Sequence, residues 1–293
     1  MPQRAETAIG VDVGGTRIRV ARIAADGTVE ARASEATDRS RDGFAAQALR
    51  LIGDLRDDST AAVGIGIPGR VDGPAQRILS AGYLDIAGLD LASLIGAAAG
   101  LRVRIENDAA AALLAEVAVR RLDGLIAMVT IGTGIGGAVS RRGAPWYGGG
   151  FAGQFGHVVV AADGPPCKCG GKGCVETFSS GTALARLVAE AGWPAGTTVE
   201  ELLGAAAAGR PGAAVILEDW AAPLERALRS LVAAIDPDLI LIGGGLGHAM
   251  ARALGDRPRA SPWFELPLAP ATLGDDAGMI GAGLAAMGRG VAA

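Results

Sequence analysis

At 293 residues, half of them apolar and only 4% aromatic, the chain is long enough for two domains with cores of small aliphatic side chains. A net charge of −4 leaves no electrostatic footprint for nucleic acid or for an anionic membrane surface. Met1–Gly10 holds no apolar leader segment, uncharged stretches such as Leu125–Ser140 are too short and glycine-broken to span a bilayer, and the cysteines form no disulfide framework. A soluble, cytoplasmic protein is expected.

In chain order, strand-like and helix-like runs alternate. Ala8–Val13 and Ile18–Ile23 read as strands around the turn Gly14-Gly15-Thr16. Gly43–Leu55 reads as a helix, and Ala62–Ile67 as a strand ending in the turn Pro68-Gly69-Arg70, which could contact a ligand or be only a turn. Val103–Glu106 is a strand and Ala109–Arg121 a helix, with Glu106-Asn107-Asp108 at their junction. Leu125–Ile131 and Gly137–Ser140 are strands around Gly132-Thr133-Gly134. Helices follow at Thr182–Ala191, Val199–Ala208 and Ala213–Ile235. The strand Leu239–Ile242 ends in Gly243-Gly244-Gly245, an opening that lets a flat ring approach the backbone, and Met279–Met287 is a last helix. Strands mixed with helices of these lengths predict an α/β architecture.

The two glycine-tipped units, strand, Gly/Thr turn, strand, echo one another and suggest a duplicated domain. Each copy offers a hairpin whose backbone N–H groups can converge on phosphate, although either alone is an ordinary hairpin. Gly132-Thr-Gly134-Ile-Gly136-Gly137 matches the dinucleotide fingerprint letter for letter, but that fingerprint requires a helix next, and here the chain continues as strand. No Walker-A motif is present.

The remaining signals concern chemistry. Asp108 stands at the carboxyl end of a strand, where open α/β sheets place their ligands; Asp or Asn there also serves simply as a helix cap. In phosphoryl transfer a carboxylate at that place takes the acceptor hydroxyl's proton, and Asn107 beside it could hydrogen-bond a polyol. Asp12, beside the first glycine turn, could help hold Mg²⁺ or be a solvated strand-end acid. All three cysteines lie close together as Cys167, Cys169 and Cys174, with His157 upstream and glycines at 170, 171 and 173. Unrelated core thiols or a disulfide are the plain alternatives. One His and three Cys on a short glycine-rich loop make the donor set of a tetrahedral structural zinc site, the reading we favour.

Together, Asp12-Val-Gly-Gly-Thr16, Glu106-Asn-Asp108, Ile131-Gly-Thr-Gly-Ile-Gly-Gly137, Gly-Gln-Phe-Gly-His157, Cys167-x-Cys169-Gly-x-x-Gly-Cys174-x-Glu176 and Asp236-Pro-x-Leu-Ile-Leu-Ile-Gly-Gly-Gly245 resemble the ROK family of sugar kinases and sugar-responsive repressors, from about Ile9 to Met287. The resemblance implies the actin-like ATPase (ribonuclease H-like) fold, two duplicated α/β lobes around a cleft. We expect residues 1–107 as the smaller lobe, 108–278 as the larger, and 279–293 as a helix returning to the first. It implies that Gly14, Gly15, Thr16, Gly132, Thr133 and Gly134 face ATP phosphates, with Gly243, Gly244 and Gly245 near the adenosine. Asp108 would be the base toward a sugar hydroxyl, usually the 6-hydroxyl. Gly69, Asn107, Gln154, His157 and Glu176 would contact the sugar, and His157, Cys167, Cys169 and Cys174 would ligate zinc. A homodimer or homotetramer is implied as well.

Three departures bear on the sugar. Gln154 stands where the family's kinases usually carry Glu, Ala110 where Asn is common, and Ser80-Ala-Gly-Tyr83 where many members offer Asn or Thr. An ATP-dependent glucokinase is the leading expectation, with an N-acetylhexosamine such as N-acetylmannosamine as the alternative acceptor. A non-catalytic sugar-binding regulator is the alternative of another class. The chain begins its first strand by Ala8, without the added helix-turn-helix of the family's repressors, so DNA binding is not expected.

Overall fold

The computed structural model describes residues 6–82, 84–255 and 265–288. Its elements run β1 (Thr7–Val13), β2 (Arg17–Ala24), β3 (Val29–Ala36), α1 (Arg41–Leu55), β4 (Thr60–Ile67), β5 (Arg70–Asp72), β6 (Arg77–Ser80), α2 (Leu91–Ala99), β7 (Arg102–Asn107) and α3 (Asp108–Arg120). Then come β8 (Leu125–Ile131), β9 (Ile135–Arg141), β10 (Ala144–Pro145), α4 (Glu176–Ser179), α5 (Gly181–Glu190), α6 (Val199–Ala207), α7 (Ala213–Ile235), β11 (Leu239–Gly243), α8 (Gly247–Gly255), β12 (Leu268–Pro270) and α9 (Ala277–Ala286).

The duplication suggested by the glycine hairpins is visible in the sheets. One has the order β3-β2-β1-β4-β7 and the other β10-β9-β8-β11-β12. In each, three consecutive strands are antiparallel, and two later strands join parallel to the first of them. The parallel strands β1, β4 and β11 are buried almost throughout, as strands covered on both faces must be, whereas the edge strand β3 has no buried residue.

The chain divides into two compact units. The first takes the described residues of Met1–Gly124, Val139–Ala152 and Asp275–Ala293, and the second those of Leu125–Ala138 and Gly153–Gly274. This differs from the expected boundary at 107/108, because α3 belongs to the first unit. The reason is packing: a Cβ added to Gly281 of α9 would lie 1.7 Å from the carbonyl oxygen of Ala111 in α3, so the two helix backbones touch.

Every residue of α9 is buried. The helix rests on its sheet through glycines on the strands: a Cβ on Gly10 of β1 would meet Met279 O at 1.9 Å, and one on Gly64 of β4 would meet Ala282 O at 1.8 Å. These contacts are to backbone, which cannot swing aside. Gly64→Ala should therefore overpack this seam and cost about 3 kcal/mol of stability. Urea unfolding checks this; a midpoint equal to wild type would show that α9 can lift off the sheet freely.

The first unit's core gathers Ile9, Val11, Val13 and Ile18 of the sheet against Phe44, Leu51 and Ile52 of α1 and Leu91 and Ile95 of α2. In the second unit Trp220 of α7 is fully buried and its indole N–H donates to Ser180 O at 3.0 Å, so the largest core side chain leaves no unsatisfied donor.

Candidate active site

In the first unit the parallel strands β1, β4 and β7 end at one edge, and the register aligns their last residues. Asp12 pairs with Gly66, Gly66 with Glu106, and Ile67 with Asn107. Asp108 opens α3 immediately beyond, its Cα packed over Gly66, so the strand register itself brings Asp12 and Asp108 together.

Asn107 is the cap of α3: its Oδ1 accepts from Ala110 N at 3.1 Å. Both of its amide protons are also engaged, one on Gly69 O and one on Asp108 Oδ1, each at 2.9 Å. One side chain thus ties the Pro68-Gly69 turn, the helix start and the carboxylate into a single piece, leaving only a lone pair on Oδ1 for a ligand. Asp108 Oδ1 accepts a second bond from Ala109 N at 2.8 Å. Its Oδ2 accepts none among the described residues. Burial, and then the charge of Asp12, push the Asp108 carboxyl up to about 6, although the side chain keeps partial access to solvent. Asp12 is also raised by burial, against the pull of Arg19 at 3.3 Å. Arg19 pairs in turn with Asp275 at 3.1 Å.

The first hairpin turn has its carbonyls held from one side. Thr37 Oγ1 donates to Gly14 O at 2.8 Å, Thr37 N to Thr16 O at 3.1 Å, and Arg39 to Gly15 O through Nε at 3.0 Å and Nη2 at 2.7 Å. Fixing the carbonyls leaves the N–H groups of Gly15 and Thr16 without acceptors among the described residues, the arrangement an anion site needs.

The second unit repeats the device. At the β8–β9 turn Gly181 N donates to Gly132 O at 2.8 Å, and Thr182 Oγ1 to Thr133 O at 2.8 Å, both from the start of α5. Leu246 N, following Gly243-Gly244-Gly245, donates to Ile131 O at 2.9 Å, which fixes that glycine run beside the hairpin. Glu176 lies at the base of the same turn. Its Oε2 accepts from Ile135 N at 2.9 Å, and a Cβ on Gly134 would come within 2.4 Å of that oxygen.

His157, Cys167, Cys169 and Cys174 do converge: their ligand atoms all lie within 4.8 Å of one another, and the three thiols are unbridged. Zinc–sulfur bonds of about 2.3 Å and a zinc–nitrogen bond of about 2.05 Å at tetrahedral angles require S···S near 3.8 Å and S···N near 3.6 Å. The distances are 3.6 Å for Cys169 Sγ to Cys174 Sγ and 3.6 Å for Cys167 Sγ to His157 Nδ1. The donor set therefore fits a zinc ion, which His157 would hold through Nδ1, the nitrogen that faces Cys167. Lys168, inside the loop, pairs with Glu176 Oε1 at 3.3 Å, so the loop reaches the second hairpin through one carboxylate. Gln154 directly precedes the turn Phe155–His157; its side chain is half-buried and accepts or donates no bond among the described residues. Tyr83 lies outside the described residues.

Reading the sequence missed Thr37, Arg39 and Thr182, which organise the two turns, and Arg19 and Lys168, which hold Asp12 and Glu176. Thr182 had the one usable signal, as it starts a helix just after the cysteine loop.

The ROK family model matches residues 8–288. The chain is 31% identical to the glucokinase of Thermotoga maritima over 304 residues, covering 94% of this chain and 95% of that protein. It is likewise 31% identical over 302 residues to the N-acetylmannosamine kinase of Escherichia coli O157:H7, covering 97% and 99%. The crystal structure of a ROK family glucokinase from Streptomyces griseus in complex with glucose and AMPPNP superposes with a TM-score of 0.79 at 28% identity, over 96% of this chain and 99% of that one. Matched over nearly its whole length by sequence and by structure, the chain belongs to the ROK family and its two α/β units are those of the actin-like ATPase fold.

Proposed function

We propose that this protein transfers the γ-phosphoryl group of ATP to a hexose, with glucose and its 6-hydroxyl as the first choice and Asp108 as general base. The observation that carries this reading is the asymmetry of the Asp108 carboxylate: Oδ1 is held twice while Oδ2 accepts no bond among the described residues. A base poised near 6 is largely ionised at neutral pH yet can still accept a proton as charge develops.

In the proposed step the sugar hydroxyl oxygen bonds to the γ-phosphorus as the bond from phosphorus to the β–γ bridging oxygen breaks. The bridging electron pair leaves with ADP, and the hydroxyl proton passes to Asp108 Oδ2. Asn107 keeps Oδ2 aimed, and its remaining lone pair accepts from a sugar hydroxyl. Gly69, Gln154, His157 and Glu176 are proposed as further sugar contacts. The N–H groups around Gly14-Gly15-Thr16 and Gly132-Thr133-Gly134 would bind phosphate, with Gly243, Gly244 and Gly245 near the adenosine.

Asp12, already paired with Arg19, would help hold the magnesium that accompanies ATP, directly or through water. Magnesium, bound with ATP, supplies charge neutralisation. Zinc, held by His157, Cys167, Cys169 and Cys174, supplies rigidity to the loop that carries Lys168.

N-acetylmannosamine is the second reading. Gln154 favours it, because an amide both donates and accepts where a carboxylate only accepts. An ADP-release assay over a hexose panel tests the proposal: release should require a hexose, with glucose or N-acetylmannosamine preferred. Release at the same rate without sugar would sink it.

Asp12 supplies a finer test. Its negative charge opposes ionisation of Asp108, so removing it lowers the Asp108 pKa. In Asp12→Asn the acid limb of kcat/KM should move to lower pH whatever the residual rate; a limb that stays in place would take Asp12 out of the electrostatics of the base.

A further inference from the structure

Arg39 follows β3 at the edge where β1 ends, and its guanidinium is fixed by two hydrogen bonds to one carbonyl, Gly15 O, at 3.0 and 2.7 Å. It is exposed, and no carboxylate lies within ion-pairing distance of it among the described residues. Arg17 and Arg41 also lack a carboxylate partner among the described residues, but they donate to Ser34 and to Ala87 O, away from the turn's carbonyls. Arg19 is paired with Asp12 and Asp275, and Arg50 with Glu35 and Asp54. The nearby Asp38 carboxylate is turned to Ser40, accepting from its N–H at 2.9 Å and its hydroxyl at 2.7 Å. Among the described residues, then, a cation without a carboxylate partner is held against a turn whose N–H groups at Gly15 and Thr16 lack acceptors.

A guanidinium that only fastened the turn would need one donor, and the adjacent Thr37 already supplies two bonds to Gly14 O and Thr16 O. Nη1 makes no hydrogen bond among the described residues and remains available. Pre-fixed donors aimed at developing phosphate charge require no reorganisation when it forms, which is where electrostatic catalysis gains most. We propose that Arg39 is a catalytic residue that binds the nucleotide phosphates and stabilises the charge that gathers on them during transfer. The inference rests on the kinase reading above, and assigns the first hairpin a cation as well as its amides. Arg39 makes and breaks no covalent bond; the electron pair and proton move as already described.

The test uses the purified full chain with ATP, magnesium and the best hexose of the panel. Arg39→Gln keeps a donor for Gly15 O but removes the charge, while Arg39→Lys keeps the charge. Arg39→Gln should lower kcat/KM for ATP about 100-fold, with the sugar KM and the melting temperature unchanged. Arg39→Lys should retain activity to within about tenfold of wild type, because a point charge replaces the fork imperfectly. Added guanidinium ion at millimolar concentration should restore part of the rate to Arg39→Ala. The inference is overturned if Arg39→Gln stays within a few-fold of wild type, if the loss falls on the sugar KM, or if Lys and Gln fail equally with no guanidinium rescue. These outcomes are separable from failure of the kinase reading, since an inactive wild type, or a fully active Asp108→Asn, would remove that reading first.

Discussion

Replacing Asp108 by Asn should reduce kcat for sugar-dependent ADP release by about 10²–10⁴-fold, the range that a positioned general base contributes. Asn retains the volume and can still accept from Ala109 N, but it cannot take the hydroxyl proton at Oδ2. In the wild-type protein, kcat/KM for the sugar should rise with pH through a single ionisation at about 6, the value to which burial and Asp12 push this carboxyl. The direction of the stability effect is opposite to the usual one for a carboxylate. A pKa raised on folding means that the folded state holds its proton longer. The contribution of this group is therefore fully present below the unfolded value near 4, where the carboxyl is protonated in both states, and is lost as pH climbs through 6 and it ionises in its buried place. Asp108→Asn should melt at a higher temperature than wild type at pH 7. A variant both inactive and more stable identifies a strained functional group, whereas an inactive and less stable one would point to a structural residue.

Stripping the proposed zinc should have the other large effect. Structural zinc sites built from thiolates contribute apparent binding energies on the order of 10–16 kcal/mol at neutral pH, so the loop from His157 to Cys174 has little reason to hold its shape without the ion. Cys174→Ser, at a buried position, should abolish the expected zinc content and lower the melting temperature by about 10 °C. Cys169→Ser, at the exposed thiol, should be milder. Activity should fall with metal content, because Lys168 hangs on the same loop and pairs with Glu176, which accepts from the second hairpin. Elemental analysis beside the activity assay checks this; full activity in zinc-free protein would reduce the cluster to a coincidence of thiols.

The chemistry-bearing motifs were legible because each is local. The two glycine turns, the Glu106-Asn107-Asp108 junction and the cysteine loop are short runs whose residue types have few other uses. The strand and helix runs read from periodicity are all present, shifted by a residue or two at their ends. What escaped lacked periodic contrast. β3 alternates only between half-buried and exposed residues and is built from Ala, Glu, Arg and Ser, so nothing marks an apolar face. α2 is short, rich in small residues and bordered by glycine. The unit boundary was misplaced because α3 looks like the opening of a new lobe until α9, from the far end of the chain, is seen against it. Asn107 was read as a sugar contact; that its protons are committed to Gly69 and Asp108, leaving it only an acceptor to offer, is a fact of three-dimensional partners that spacing cannot reveal. The same holds for Arg39, whose acceptor lies 24 positions away in the chain.

A single-turnover experiment most directly tests whether Asp108 acts on the sugar hydroxyl. Enzyme in excess over labelled ATP is mixed with saturating hexose and quenched on the millisecond scale, so that product release plays no part. Asp108→Asn should bind hexose with near-native affinity by calorimetry yet form sugar phosphate at least about 100-fold more slowly than wild type. Equal single-turnover rates in the two proteins would contradict the account.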